Sequence, residues 1–228
     1  MPDICPQPWQ RHDLLLIAPE AWRAGLRRSP ALAELPFVQG WAERGWPVIL
    51  RRHTEDEDQH LVPVGLPLPP GAGRHRVALL LPRDGILHVR RPPSLRAAVW
   101  AADPAWQSAM AALLQLGRPR EPLVVGSLLW QHITALPYLS LTSDLDLLWT
   151  VRKRRDIGPL LDGIARVQRD APMRIDGEVI LPDGTAVNWR ELWVASQGRD
   201  ETSVLGKSTA GVRLLDRNAL SWSSADPC

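Results

Sequence analysis

The stretch "GSLLWQHITALPYLSLTSDLDLLW", residues 126–149, decides how this chain is read. Its last eight residues, "TSDLDLLW" (142–149), have the apolar density of a buried strand, yet Asp144 and Asp146 interrupt it. Along a strand, residues i and i+2 share a face with Cα atoms about 7 Å apart. The two aspartates therefore point one way, while Leu145 and Leu147 point into the opposite layer. Carboxylates about 5 Å apart repel by roughly 3 kcal/mol at an effective dielectric near 20. A fold tolerates that when a cation bridges them or when one stays protonated. A solvated strand end with capping aspartates is the plainer alternative.

Working outward, "PLVVG" (122–126) reads as a strand that ends where Ser127 opens a helix. Such a junction aims free backbone N–H groups and a positive helix end outward, which makes an anion site. Downstream, "MRIDGEVILPDGTAVNW" (173–189) alternates like a hairpin folded over Pro182–Asp183–Gly184. It carries a third acid, Asp176, with Glu178 on the same face; a period of two does not separate them. An anion-binding helix start, a carboxylate pair and a later strand acid suit metal-assisted phosphoryl or nucleotidyl transfer. Hard cations such as Mg²⁺, or Mn²⁺ in its place, take one or two carboxylates together with substrate phosphates.

Around this centre the pattern predicts two α+β domains, residues 1–93 and 94–228. The first has helical patterns over Pro19–Arg28 and Ala31–Gly45 and β-like runs at 47–52, 60–66, 76–82 and 85–91. The last two runs read as a hairpin across Arg83–Asp84–Gly85, and "HDLL" (12–15) as the start of a helix or strand. "RRPPS" (90–94) reads as a linker. The second domain is expected to open with one helix over 94–116. A strand at 122–126, a helix at 127–135, a strand at 144–151 and a helix at 157–171 follow, then the hairpin, a short helix near "WRELW" (189–193) and strands within 203–208 and 211–217. Strands alternating with helices give a mixed α/β (α+β) class with a partly antiparallel sheet.

Composition excludes more than it selects. With 27 basic against 25 acidic residues and a net charge of +2, nothing demands a nucleic acid partner. Cys5 and Cys228 alone make no disulfide framework, which suits a reducing cytoplasm. The opening residues show no basic start followed by an apolar run, so no signal peptide is expected, and no run of about 18 apolar residues predicts a membrane span. Only Lys153 and Lys207 are lysines among the basic residues.

The quoted residues carry a resemblance. "GS…SDLDLLW" with "RIDGEVI" (174–180) is similar to the nucleotidyltransferase fold of DNA polymerase beta and its relatives. More narrowly, "VVGSLLWQHITALPYLSLTSDLDLLW" (124–149), "RIDGEVILPDGTAVNWREL" (174–192) and "RHDLL" (11–15) resemble the malonate decarboxylase holo-acyl-carrier-protein synthases, also called phosphoribosyl-dephospho-CoA transferases. The match is strong over Pro122–Lys207 and looser before Ser94, where it rests on "RHDLL" and "GWPVILRR" (45–52). The resemblance implies a reaction in which a serine of the apo acyl-carrier subunit attacks the α-phosphorus of triphosphoribosyl-dephospho-CoA and pyrophosphate leaves. It also implies roles: Asp144 and Asp146 as Mg²⁺ ligands, Asp176 as third carboxylate and base (with Glu178 as the alternative), and Gly126 and Ser127 as the cradle for the β- and γ-phosphates.

Two basic features are weighed beside these. "RKRR" (152–155) follows the aspartate strand; Arg152 and Lys153 are candidates for the donor's phosphates or for an acidic carrier protein, against a merely solvated face. Lys207 in "VLGKST" is not part of a P-loop, because Glu201 stands where that motif needs glycine, but it remains a candidate phosphate contact. His12, His53, His60 and His132 read as structural or solvated, and the tryptophans as core. Two rivals stay open: a nucleotidyltransferase using ATP or another nucleotide on a different acceptor, and a non-catalytic assembly factor for a carrier-protein complex.

Overall fold

A computed structural model describes residues 9–73, 75–116, 121–197, 203–208 and 211–215. The chain divides into two compact units, Met1–Pro92 and Pro93–Cys228. The class is mixed α and β, as the sequence pattern indicates.

The first unit is a five-stranded antiparallel sheet built from β1 (Leu14–Ile17), β2 (Val48–Leu50), β3 (Val62–Pro67), β4 (Arg76–Leu81) and β5 (Ile86–Arg90), in the order β4-β3-β2-β1-β5. Helices α1 (Pro19–Arg27) and α2 (Pro30–Ala33) follow β1. Two indoles are buried with their polar ends satisfied: Trp22 donates to the Val38 carbonyl at 2.7 Å and Trp41 to the Pro47 carbonyl at 2.9 Å. A buried indole N–H usually finds an acceptor, and these two do. Two sequence expectations fail here. The helix foreseen over Ala31–Gly45 stops at Ala33; Pro36 disfavours helical backbone at Leu35, and Phe37 takes a positive φ of 67°. The hairpin foreseen across Arg83–Gly85 does not form either, since β4 and β5 lie at opposite edges of the sheet.

The second unit begins with α3 (Leu95–Ala98) and α4 (Gln107–Leu116), separated by short 3₁₀ turns at Val99–Ala101 and Pro104–Trp106. The sequence suggested one helix here. Pro104 and the cap at Asp103, whose side chain accepts from the Ala105 N–H, break it into two. Next come β6 (Leu123–Val124), α5 (Gly126–Thr134), β7 (Leu145–Thr150), α6 (Ile157–Asp170), β8 (Ile175–Ile180), β9 (Ala186–Asn188), α7 (Trp189–Gln197), β10 (Val204–Lys207) and β11 (Val212–Leu215). The sheet order is β11-β10-β9-β8-β7-β6. Every pairing is antiparallel except β7 with β8, which run parallel and are joined through α6. The expected β8–β9 hairpin forms, with Val179 opposite Val187.

One face of this sheet is dry. Leu145, Leu147, Ile175, Val179 and Val187 have no exposed surface. The inward stripes of α4 (Met110, Leu113), α6 (Leu161, Ile164) and α7 (Leu192, Ala195) supply further buried apolar residues. By the two-residue period, Asp146, Asp176 and Glu178 occupy the other face. Gly177 sits between them on the buried side with φ 134°, where an added Cβ would overlap the Leu147 carbonyl of the neighbouring strand. Gly177→Ala is expected to lower the unfolding free energy by about 3 kcal/mol or more through overpacking and backbone strain. Chemical denaturation should show this as an earlier midpoint with an unchanged slope.

Candidate functional site

The site is built at one end of the parallel strand pair. The β7–β8 register places Asp146 directly opposite Asp176, with Leu145 opposite Ile175. Asp144 lies just before β7, at the end of a loop in which the Ser140 N–H donates to the Ser143 hydroxyl at 2.9 Å. That loop is tied back to α5: Gln131 Oε1 accepts the N–H groups of Tyr138 (3.1 Å) and Leu139 (2.9 Å). The start of α5 reaches the same place. The Val125 N–H donates to the Asp146 carbonyl at 3.0 Å, and Gly126, at φ 65°, leaves the space that the Asp146 carboxylate occupies; a Cβ there would overlap Asp146 Oδ2. No side chain caps this helix, so Gly126 and Ser127 open a first turn whose N–H groups are suited to an anion.

The acids are electrostatically coupled. Burial first, then the charges of Asp176 and Asp144, raise the Asp146 carboxyl from its usual 3.8 to about 7, against the opposing pull of Arg174. Arg174 is the local counter-charge, with Nη1 3.8 Å from Asp144 Oδ2 and Nη2 3.4 Å from Asp176 Oδ2. Asp176 Oδ1 accepts two further hydrogen bonds, from the Gly177 N–H at 2.8 Å and from Asn188 Nδ2 at 3.0 Å. Arg190 stands behind them. Its Nη2 donates to Gln168 Oε1 at 2.6 Å and to the Ile175 carbonyl at 2.8 Å, and its guanidinium lies 4.5 Å from the Trp189 ring centroid. Burial, and then the charge of Arg174, depress its pKa.

Among the described residues, no three His, Cys, Asp or Glu side chains already converge as a finished metal site. The donor set itself is of the carboxylate type that hard divalent cations take. Three carboxylates share one corner, burial and then their mutual repulsion raise the Asp146 carboxyl to about 7, and a half-exposed arginine is the counter-charge between Asp144 and Asp176.

The remaining sequence candidates fall elsewhere. Glu178 is 7% exposed, opposite Asn188, and accepts from Lys207 Nζ at 3.1 Å. Lys207 is thereby committed to a buried acid. Arg152 and Lys153 are exposed beyond the far end of β7, and at about 3.3 Å per residue the strand puts roughly 13 Å between Asp146 and Thr150. His132 lies against Trp100, with centroids 5.2 Å apart. Sequence reasoning missed Arg174, Asn188, Arg190 and Gln168. Arg174 was findable, since it stands two residues before Asp176 and so shares its face; the other three depend on tertiary contacts.

Residues 10–92 match the family described as Phosphoribosyl-dephospho-CoA transferase MdcG N-terminal domain, and residues 94–218 match the corresponding C-terminal domain. The chain belongs to the phosphoribosyl-dephospho-CoA transferase family. It is 41% identical over 214 residues to a protein of that name from Bradyrhizobium diazoefficiens, covering 93% of this chain and 92% of the relative. A namesake from Xanthomonas axonopodis pv. citri is 35% identical over 213 residues (92% and 95%), and one from Xanthomonas campestris pv. campestris strain 8004 is 36% identical over 187 (81% and 85%). No solved structure matches the chain. Membership makes the protein an enzyme, a transferase of a nucleotide-derived group. No helix among the described residues is long and apolar enough to cross a membrane.

The raised Asp146 pKa has a sign. The folded state keeps this proton up to about pH 7, whereas the unfolded chain releases it near 3.8. The protonated acid therefore contributes stability that is fully present below about 3.8 and lost as pH rises toward and through 7. Metal-free protein should melt progressively lower across that window, and Asp146→Asn should flatten the dependence, measured by thermal unfolding at stepped pH.

Proposed function

We propose that this chain attaches a phosphoribosyl-dephospho-CoA prosthetic group to the apo acyl-carrier subunit of malonate decarboxylase, using triphosphoribosyl-dephospho-CoA as donor, in the cytoplasm. The observation that carries the proposal is the register that sets Asp146 against Asp176 with Asp144 beside them, next to an uncapped helix start. In this reading the second unit is a nucleotidyltransferase-like domain, and the first helps bind the donor or the carrier protein.

The acceptor serine Oγ attacks the α-phosphorus, forming the phosphodiester as the bond to the pyrophosphate oxygen breaks. Asp176 Oδ2 takes the hydroxyl proton, because Oδ1 already holds two hydrogen bonds. The first turn of α5, at Gly126 and Ser127, orients the β- and γ-phosphates with its backbone N–H groups. Asp144, Asp146 and Asp176 would hold Mg²⁺ or Mn²⁺, which when bound aligns the phosphates and offsets charge developing on them. Asp176 is preferred to Glu178 as third carboxylate because it faces Asp146, whereas Glu178 faces Lys207. Arg174, half exposed beside Asp144 and Asp176, would offer its guanidinium to the donor's phosphates.

Intact-mass analysis of the apo carrier subunit, after incubation with the protein, Mg²⁺ and the triphosphate donor, tests the proposal. A mass gain equal to the prosthetic group is expected, with Asp144→Asn, Asp146→Asn and Asp176→Asn each slower by about 10²–10⁴-fold. Pyrophosphate release from ATP with another acceptor would overturn the substrate assignment while keeping the chemistry. No transfer and no divalent-cation binding would favour an assembly factor.

A further inference from the structure

Asn188 is the last residue of β9 and immediately precedes α7. Its side-chain amide faces two different partners. The carbonyl oxygen accepts the backbone N–H groups of Arg190 at 2.9 Å and Glu191 at 3.4 Å, so it caps the start of α7. The amide nitrogen donates to Asp176 Oδ1 at 3.0 Å. Turning the amide over would set NH₂ against two helix N–H donors and a carbonyl against a carboxylate, so both ends would repel. The helix thus fixes which end of Asn188 meets the acid.

We propose that Asn188 is a positioning residue for Asp176, and that α7 uses it to aim the acid. The Gly177 N–H, donating to the same Oδ1 at 2.8 Å, completes the grip. With Oδ1 held from two directions the carboxylate cannot rotate freely, and Oδ2 is the oxygen turned toward Arg174, 3.4 Å from its Nη2. The segment leading into Asp176 is braced as well: Gln168 Oε1 accepts the Ile175 N–H at 2.6 Å, and Arg190, from the first turn of α7, donates to the Ile175 carbonyl at 2.8 Å. Helices α6 and α7 therefore bracket the acid through the backbone before it and the oxygen that does not react. This inference rests on Asp176 acting as proposed above.

The cap and the grip can be separated by substitution. Asn188→Ser keeps an N-cap oxygen but has no donor long enough for Asp176. Asn188→Asp keeps the cap and sets a carboxylate against Oδ1. Asn188→Ala loses both functions. Thermal unfolding should place Ser near the wild type and Ala below it, with Asp lowered by the repulsion between its carboxylate and Asp176. Transfer kinetics should show kcat lowered about 10–100-fold in Ser and at least as much in Asp, with KM for the donor little changed. Titration with Mn²⁺ followed by electron paramagnetic resonance, with no donor present, should show weaker binding in Ser. Wild-type kcat and Mn²⁺ affinity in Asn188→Ser would overturn the inference. So would a Ser variant that melts as low as Ala and loses activity only in step with unfolding. Asp176→Asn separates the two levels. If it stays active, the role of Asp176 falls and this inference with it. If it is inactive while Asn188→Ser is not, only the aiming role falls. Should no donor support transfer even in wild type, the Mn²⁺ comparison between wild type and Asn188→Ser still decides.

Discussion

Parallel pairing of β7 with β8 is the constraint on which the acidic face depends. In this register Asp146 meets Asp176 side by side, while the alternating residues Leu145, Leu147, Ile175 and Val179 fill the dry face beneath. A slip of one residue would invert both sets at once, burying the acids and exposing the leucines. Core and site therefore specify each other. The apolar face fixes the register with the full weight of hydrophobic burial, and the acids are carried into contact as a consequence.

That contact is unfavourable in isolation, and the surroundings show how it is absorbed. Arg174 spans Asp144 and Asp176 from the solvent side. Gly177 and Asn188 satisfy the inner oxygen of Asp176, and the protein keeps Asp146 partly protonated near neutrality. Glu178, one pleat further along, is treated differently: it is buried and ion-paired with Lys207. Two acids on one face of one strand thus have opposite fates, decided by what lies across the sheet.

Much of this was legible in the sequence and some was not, for physical reasons. The D-x-D pair, the strand-to-helix glycine and the hairpin acid are local patterns, and a period of two or a turn glycine exposes them directly. Helix lengths around Pro36 and Pro104 were misjudged because apolar spacing continued through residues whose rings disallow the helix. The run before Arg83 and the run after Gly85 looked like a hairpin because turn chemistry reports a reversal and not the partner; here each strand pairs elsewhere. Asn188 is legible only as a helix N-cap with Glu191 three residues on; its contact with Asp176, twelve residues away in sequence, is not. Lys207 stood out by rarity, yet its partner is a buried acid.

The crossover through α6 has a consequence for how the second unit assembles. Its β8–β9 hairpin closes over a short turn and holds Asp176, Gly177 and Asn188 within one local unit of the chain. Strand β7 lies on the far side of a fourteen-residue helix, and its pairing with β8 closes a longer loop. Repulsion between Asp146 and Asp176 is absent until that pairing occurs. The Asp146–Asp176 repulsion therefore belongs to the pairing of β7 with β8 and not to the contacts within the hairpin. An acid cluster divided across a crossover in this way weighs on the completion of the domain rather than on the making of its parts.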